Sequence, residues 1–349
     1  MPEITDGELL CRHLPGAADV LVVMKTGSTE LQAKLPVHLN TTTLCYPSLL
    51  ILSDHEEEEE ENNNGTAHLS SSTSTSPHKI HDALSPVSAA LKQTHPDFAL
   101  WRRLRTQGGL SALAAAELSG PNSGSGGADG KTENPGWRLD KWKFLPMALR
   151  ALQLHPETPW FVFVETDTYL VWANLLRWVR LLDPKRPVYA GFQMQIGEQV
   201  FAHGGSGFVV SNKALRMVVE GYVRDKARWE MVTDNHWAGD CVLGRALEEV
   251  GVPLLWSWPL VQGEKPGMVD YWGVSGQRRV WCSPVVTYHH LAADEVEDVW
   301  RFEQDWIRDD VGLYDIDFAE EDVLVLTGLI STPLRCGIVM SLNSTSCQR

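Results

Sequence analysis

WFVFVETDTYLVW, residues Trp160–Trp172, carries an apolar run of strand type that breaks at Glu165 and Asp167 and then resumes. Side chains alternate along a strand, so residues two apart share a face wherever the extended geometry persists. Two carboxylates at the end of a buried strand are costly unless a positive group stands beside them. In α/β sheets ligands bind beyond the carboxyl ends of the strands, and a hard divalent cation, Mn²⁺ or Mg²⁺, is a natural partner for paired oxygen ligands. An Asp after a strand is also a common helix cap, so the pair alone leaves both readings open. It does not suit a glycosidase, whose two carboxyl groups stand roughly 5 Å or more apart across a sugar.

Outward from this stretch the pattern alternates. DVLVVMKTG (Asp19–Gly27) reads as a buried strand ending in a glycine turn, and SLLILSD (Ser48–Asp54) as a second strand ending in an acid. Between them ELQAKLPVHLNTTTL has helical patterning interrupted by Pro36. Strand, helix and strand within about 35 residues predict a βαβ unit and a parallel sheet. HDALSPVSAALKQTHPDFALWRRL reads as helical, and LDKWKFLPMALRALQLH (Leu139–His155) as one amphipathic helix leading into the acidic strand. Then come a helix (Trp172–Leu182), a strand VYAGF (Val188–Phe192) and FAHGGSGFVVS (Phe201–Ser211). The helices SNKALRMVVEGYV and GDCVLGRALEEVG follow, and then a late strand, VTYHHL (Val286–Leu291). Two low-complexity stretches, about 55–80 and about 119–132, read as disordered surface insertions. The expected organisation is one α/β domain over 1–330 and a tail, 331–349, in which RCGIVMSLNSTSC closes a small disulfide loop or carries two free thiols.

The 349 residues, 43% hydrophobic, suffice for a substantial core. A formal net charge of -15 argues against duplex nucleic acid as a partner, although the run Glu56–Glu61 is a local, solvated contribution to it. No run of about 18 apolar residues predicts a membrane span. The start, MPEITDGELLCRHLPG, lacks the basic end and apolar centre of a signal peptide. Sequons at Asn40, Asn64 and Asn343 and an even count of six cysteines point instead to the secretory pathway. A lumenal domain separated from its membrane anchor reconciles these signs, and a cytosolic protein is the competing reading.

Three further segments bear chemistry. HGGSGF (His203–Phe208) permits close backbone approach to a ligand, but lacks the Lys-Ser/Thr of a phosphate loop. Asp240 opens a helix, as a cap or as a general base beside an acceptor hydroxyl. His289 and His290 follow a strand, where neighbours face opposite ways, so one of them is expected to reach a given site. Lys25 ends the first strand, and Lys141 and Lys143 precede the acidic strand; all are candidates for phosphate or plain surface cations.

The order of these segments is more specific than any one of them. V-M-K-T and S-D end two strands, W-R-L-D-K-W-K precedes a helix, and W-F-V-F-V-E-T-D-T-Y follows. Then come G-G-S-G-F-V-V-S, G-D-C-V-L-G and T-Y-H-H. From about Asp19 to Leu291 this resembles glycosyltransferase family 31, the fringe-like and core 1 β1,3-galactosyltransferase group, and is most similar to its fungal-type members. The resemblance implies a GT-A-type nucleotide-diphospho-sugar transferase fold, an α/β architecture with a central, mostly parallel sheet flanked by helices. It implies an inverting, Mn²⁺- or Mg²⁺-dependent transfer of a hexose, galactose or GlcNAc foremost, from a UDP-sugar to a glycan or glycoprotein in β-1,3 linkage. It further implies a type II membrane protein of the Golgi lumen, anchored through a segment this sequence does not contain.

Residue by residue, the family's D-D-D strand end falls on Glu165, Thr166 and Asp167, where only the third keeps its Asp. The family's metal-binding histidine falls on His289, so the implied metal set is Asp167, His289 and Glu165. Its catalytic acid falls on Asp240, preceded here by Gly239 rather than an acid. The glycine segment matches Gly204, Gly205 and Gly207, near sugar and acceptor. Lys25, Thr26, Asp54, Lys143 and Thr166 fall on nucleotide-binding positions. The departures at Glu165, Thr166 and Gly239 keep a second reading open, a non-catalytic carbohydrate-binding or scaffolding relative.

Overall fold

The computed structural model describes residues 9–56, 79–119, 135–276 and 278–309. The bulk of both low-complexity insertions, the sequons at Asn64 and Asn343, the domain end at 330 and the tail cysteines Cys336 and Cys347 lie outside these residues.

The first unit is β1 (Val20–Lys25), α1 (Leu31–Leu39) and β2 (Leu49–Ser53), followed by β3 (Ile80–Asp82), α2 (Ala89–Thr94) and α3 (Ala99–Thr106). Next come α4 (Pro135–Asp140), α5 (Phe144–Leu154), β4 (Trp160–Glu165), β5 (Tyr169–Leu170) and α6 (Trp172–Arg180). β6 (Tyr189–Gly191), the hairpin β7 (Gln193–Ile196) and β8 (Gln199–Ala202), and β9 (Phe208–Ser211) lead to α7 (Asn212–Arg224), α8 (Lys226–Asp234) and α9 (Gly239–Glu249). β10 (Leu255–Trp256), a small hairpin of β11 (Val274–Ser275) and β12 (Arg278–Arg279), β13 (Thr287–Tyr288) and α10 (Ala293–Asp309) complete the order.

Seven strands form one sheet in the order β10-β6-β9-β4-β1-β2-β3. β9 runs antiparallel to β4 and β6, and the other pairings are parallel, as the βαβ reading and the GT-A-like expectation require. The central strands are apolar throughout because both faces are covered. Leu21, Val23, Phe161 and Phe163 point to one core with residues of α5, α7 and α9. Val20, Val22, Met24, Trp160, Val162 and Val164 point to the other with residues of α1 and α6. A disulfide joins Cys11 to Cys45 on the second side, a pairing the sequence left open among its six cysteines.

Several local expectations are corrected. The helix expected over Leu139–His155 is two, α4 and α5 with a turn over 141–143 between them; Pro146 stands in the first turn of α5, where its missing N–H forfeits no intrahelical hydrogen bond. The turn carries Lys143 inward, to 2% exposure. Pro36 does not interrupt α1, which runs through it with Leu31, Lys34, Leu35 and His38 buried on its inner side. The helical region from His81 begins with an edge strand, β3, and α8, α10 and the β7–β8 hairpin were not anticipated. Among the described residues no helix is long and apolar enough to cross a membrane. Asn40 of the first sequon is exposed at the end of α1.

Candidate active site

The chain runs from β1 to β2 and β3 on one side of the sheet, then returns to place β4 on the other side of β1. Beyond the carboxyl ends of two strands that diverge in this way lies the crevice where open α/β sheets bind ligands. Lys25 and Glu165 face each other in register across it.

The charges there are buried and paired. Lys25, 4% exposed, brings its Nζ 3.0 Å from Glu165 Oε1 and 2.5 Å from Asp140 Oδ1, over the Phe144 ring. Burial alone would push its pKa down, but the two carboxylates more than offset this and raise it, so the ammonium persists. Burial pushes the Glu165 carboxyl upward, opposed by Lys25. Lys34, on α1, reaches Glu30 at 3.1 Å and Asp167 Oδ2 at 3.5 Å. Lys143 donates to the Thr26 carbonyl at 2.9 Å and stands 3.3 Å from Asp54. Both oxygens of Asp54 also accept from Ser28, through its N–H and its hydroxyl. Lys25, Lys143 and Asp54 therefore serve first as the charged walls of the crevice, whatever they touch in a ligand. Counting only these groups, three ammoniums meet five carboxylates, a negative excess, lessened where Glu165 holds a proton, that a divalent cation would offset.

The strand ends at Glu165, so the alternation expected to put both carboxylates on one face stops before Asp167. Glu165 turns to Lys25, while Asp167, 1% exposed, places Oδ1 3.5 Å from His289 Nε2. The short pairing of β13 with β5 produces this meeting: Tyr288 sits opposite Tyr169, and the Leu291 N–H donates to the Asp167 carbonyl at 3.0 Å. His289 is 2% exposed, and neither ring nitrogen forms a well-aligned hydrogen bond among the described residues. Burial lowers its basicity, but Asp167 outweighs that and raises it. His290 adopts the left-handed conformation (φ 64), which brings its ring to 3.8 Å from that of His289, centroid to centroid. The expectation that only one of the two histidines reaches the site is thus corrected. One donor atom each from Asp167, His289 and His290 lie within 4.8 Å of one another, the arrangement of a metal site; Glu165 stands outside this group.

Polar clamps hold the acidic turn and the glycine turn in place. Burial pushes His38 down to about 4, so its ring is neutral at pH 7: Nε2–H donates to the Thr166 carbonyl at 2.9 Å, and Nδ1 accepts from Thr42. The Thr168 hydroxyl donates to the Gly205 carbonyl at 2.6 Å, and that of Thr287 to the Ser206 carbonyl at 2.7 Å. A Cβ on Gly205 would stand 2.3 Å from His289 Nε2, so only glycine lets this backbone lie against the ring. The hydroxyls of Thr26 and Thr166 are buried without a hydrogen-bond partner among the described residues, facing a requirement that a ligand can meet.

Asp240 lies in the first turn of α9. Its Oδ2 accepts from the Gly204 N–H at 2.9 Å and its Oδ1 from the Cys241 N–H at 2.8 Å. Burial raises its pKa against these two bonds, which makes the carboxylate a stronger base than a free aspartate. Gly239 has no space for the acid expected there: a Cβ would meet Phe144 at 2.4 Å and the Lys141 carbonyl at 2.6 Å. Sequence reasoning missed Lys34, His38, Thr168 and Thr287. Lys34 and His38 could have been found, since they fall on the apolar face of α1 set by Leu31 and Leu35, where a charged residue needs a buried partner.

A Fringe-like family model matches residues 147–262, a stretch that holds Glu165–Asp167, the glycine turn and Asp240. Over 88 residues the chain is 32% identical to glycoprotein-N-acetylgalactosamine 3-beta-galactosyltransferase 1 of Xenopus laevis, a match covering 25% of this chain and 24% of that protein. The chain thus aligns with about a quarter of the length of the curated relative it matches.

Proposed function

Because this is a fringe-like chain of glycosyltransferase family 31, we propose that it transfers a hexose, galactose or GlcNAc, from a UDP-sugar to a hydroxyl of a glycan or glycoprotein, with inversion and in β-1,3 linkage. The observation that carries this is the meeting of buried Asp167 and His289 beyond the sheet's switch point, with the Asp240 carboxylate held on the glycine turn that touches His289. Asp167 and His289 fit a divalent cation, Mn²⁺ or Mg²⁺: a buried carboxylate converges on a buried imidazole whose ring nitrogens form no well-aligned hydrogen bond among the described residues, where negative charge is in excess. Such a cation neutralises the diphosphate and stabilises it as a leaving group.

The chain's own residues do the rest. Thr26 and Thr166 offer unpaired hydroxyls to the nucleotide at the strand ends. Lys25, Lys143 and Asp54 hold the crevice walls in place around it. The turn of Gly204, Gly205 and Gly207 lines the sugar and acceptor side, and the space that each Cβ would need is taken by Phe144, His289 and the Phe163 carbonyl. Asp240 takes the proton of the acceptor hydroxyl as that oxygen attacks the anomeric carbon from the face opposite the diphosphate. One displacement inverts the centre, and no second carboxylic acid is needed to protonate the leaving group. We place the protein in the Golgi lumen.

The test is a screen for UDP release from UDP-galactose, UDP-GlcNAc and UDP-glucose with Mn²⁺, with EDTA, and with Mn²⁺ restored. Release should appear with one donor, vanish with EDTA and return with the metal. EDTA-insensitive release contradicts the site, and Mn²⁺-dependent UDP binding without release from any donor favours the carbohydrate-binding reading.

Gly205→Ala isolates one part of this arrangement. The added methyl must displace the His289 ring. Loss of ligand orientation typically weakens a metal site about 10–100-fold. Calorimetry should show Mn²⁺–UDP affinity reduced by roughly that factor with the far-ultraviolet circular dichroism unchanged. Unchanged affinity would mean that His289 is not a ligand.

A further inference from the structure

We propose that His290 is a third protein ligand of the cation, so that the chain holds its metal before the nucleotide arrives. This rests on reading Asp167 and His289 as metal ligands, and it goes beyond that pair. On a regular strand His290 would face away from His289; the left-handed backbone at His290 cancels that alternation and sets the two rings side by side. Among the described residues His290 is the one non-glycine residue in this conformation, which histidine adopts more readily than most side chains and which recurs at ligand clamps.

The donor geometry agrees. Asp167 Oδ1 and His289 Nε2 are 3.5 Å apart, beyond a good hydrogen bond. Two donors each about 2.1 Å from one ion stand roughly 3–3.5 Å apart. A His290 nitrogen lies within 4.8 Å of a ligand atom of each of Asp167 and His289, and His290 is partly exposed. The other Asp167 oxygen faces Lys34. The groups on other elements that act on the histidines are Lys34, Glu165, Glu264 and His203, whose ring lies 5.2 Å from that of His289 while its Nδ1 is engaged with the Ser206 hydroxyl at 2.8 Å. Glu165 is withdrawn to Lys25, so the protein's set becomes two imidazoles and one carboxylate. Three such ligands on one side of an ion leave the opposite side for diphosphate oxygens and water. They also favour Mn²⁺, Co²⁺ and Zn²⁺ over Mg²⁺, which prefers an all-oxygen shell.

The experiment is a Mn²⁺ titration of the metal-stripped full chain, with and without UDP, followed by calorimetry and by loss of the free-Mn²⁺ electron paramagnetic resonance signal. The comparison is with His290→Asn, since Asn tolerates the left-handed backbone. The wild type should bind one Mn²⁺ without UDP, and Mg²⁺ should not displace it. His290→Asn should weaken that binding about tenfold or more, while Mn²⁺–UDP still binds and reports an intact fold. Equal affinity in the two proteins overturns the proposal, as does a wild type that takes up Mn²⁺ only together with UDP; in both cases the transferase reading stands. A wild type that binds Mn²⁺ in neither condition overturns both.

Discussion

Asp240→Asn is expected to keep Mn²⁺–UDP binding and to lose sugar transfer by about 10²–10⁴-fold, the usual contribution of a general base. The substitution is nearly isosteric. The amide oxygen can still accept from the Gly204 N–H, as Oδ2 does now at 2.9 Å. Cys241 loses its acceptor, a loss of about 1 kcal/mol, too small to unfold the domain. What disappears is the basic oxygen. The pH profile gives a second readout. Burial raises the pKa of Asp240, so the base is lost as pH falls through a value above the ordinary aspartate range. The wild-type rate should therefore decline on the acid side, and the residual rate of Asp240→Asn should not follow that limb. Near-normal turnover in initial-rate assays of UDP release would remove Asp240 from this role.

The parts of the fold and site that were legible in the sequence share one property: each is set by local pattern. Continuous apolar runs at Val20–Lys25 and Trp160–Glu165 announce strands covered on both faces, and an apolar stripe after Ser211 announces α7. Polar residues stranded at the ends of those strands point to the crevice, because buried charge needs a partner. The parts that were not legible depend on residues far apart in sequence. Nothing in ETD says that Glu165 meets Lys25 while Asp167 meets Lys34 and His289. The alternation rule that put Glu165 and Asp167 together fails because the strand stops at Glu165, and the same rule separates His289 from His290 because it cannot anticipate a left-handed residue.

Lys143 shows the same limit from the other side. In the sequence it reads as a phosphate ligand or a plain surface cation, yet the turn between α4 and α5 makes its ammonium the buried partner of Asp54. The absent acid at Gly239 looks in the sequence like a lost charge. In the fold, Phe144 and the Lys141 backbone fill the space any side chain would need.

Asp167→Asn should abolish metal-dependent UDP binding and reduce transfer on the order of 10³-fold, because metal stabilisation of a leaving group amounts to several kcal/mol and each 1.36 kcal/mol is a factor of ten. The amide keeps the size of the carboxylate and can still accept from Lys34, but it donates no negative charge to a cation. Removing one partner of a buried ion pair usually costs about 3–5 kcal/mol, since the other charge is left stranded. Here the cost should be smaller. Lys34 retains Glu30 at 3.1 Å, and a buried His289 that has lost the carboxylate raising its pKa can shed its proton and remain neutral. The protein should therefore stay folded, with a modestly lower melting temperature, while calorimetry finds no heat of Mn²⁺–UDP binding at concentrations that saturate the wild type. Glu165→Gln provides the contrast. It leaves Lys25 with Asp140 at 2.5 Å and leaves Asp167, His289 and His290 untouched. If Asp167 is the carboxylate that holds the cation, Glu165→Gln should retain metal-dependent UDP binding within about tenfold of the wild type, well inside the deficit of Asp167→Asn. The reverse order of the two deficits would transfer the ligand role from Asp167 to Glu165.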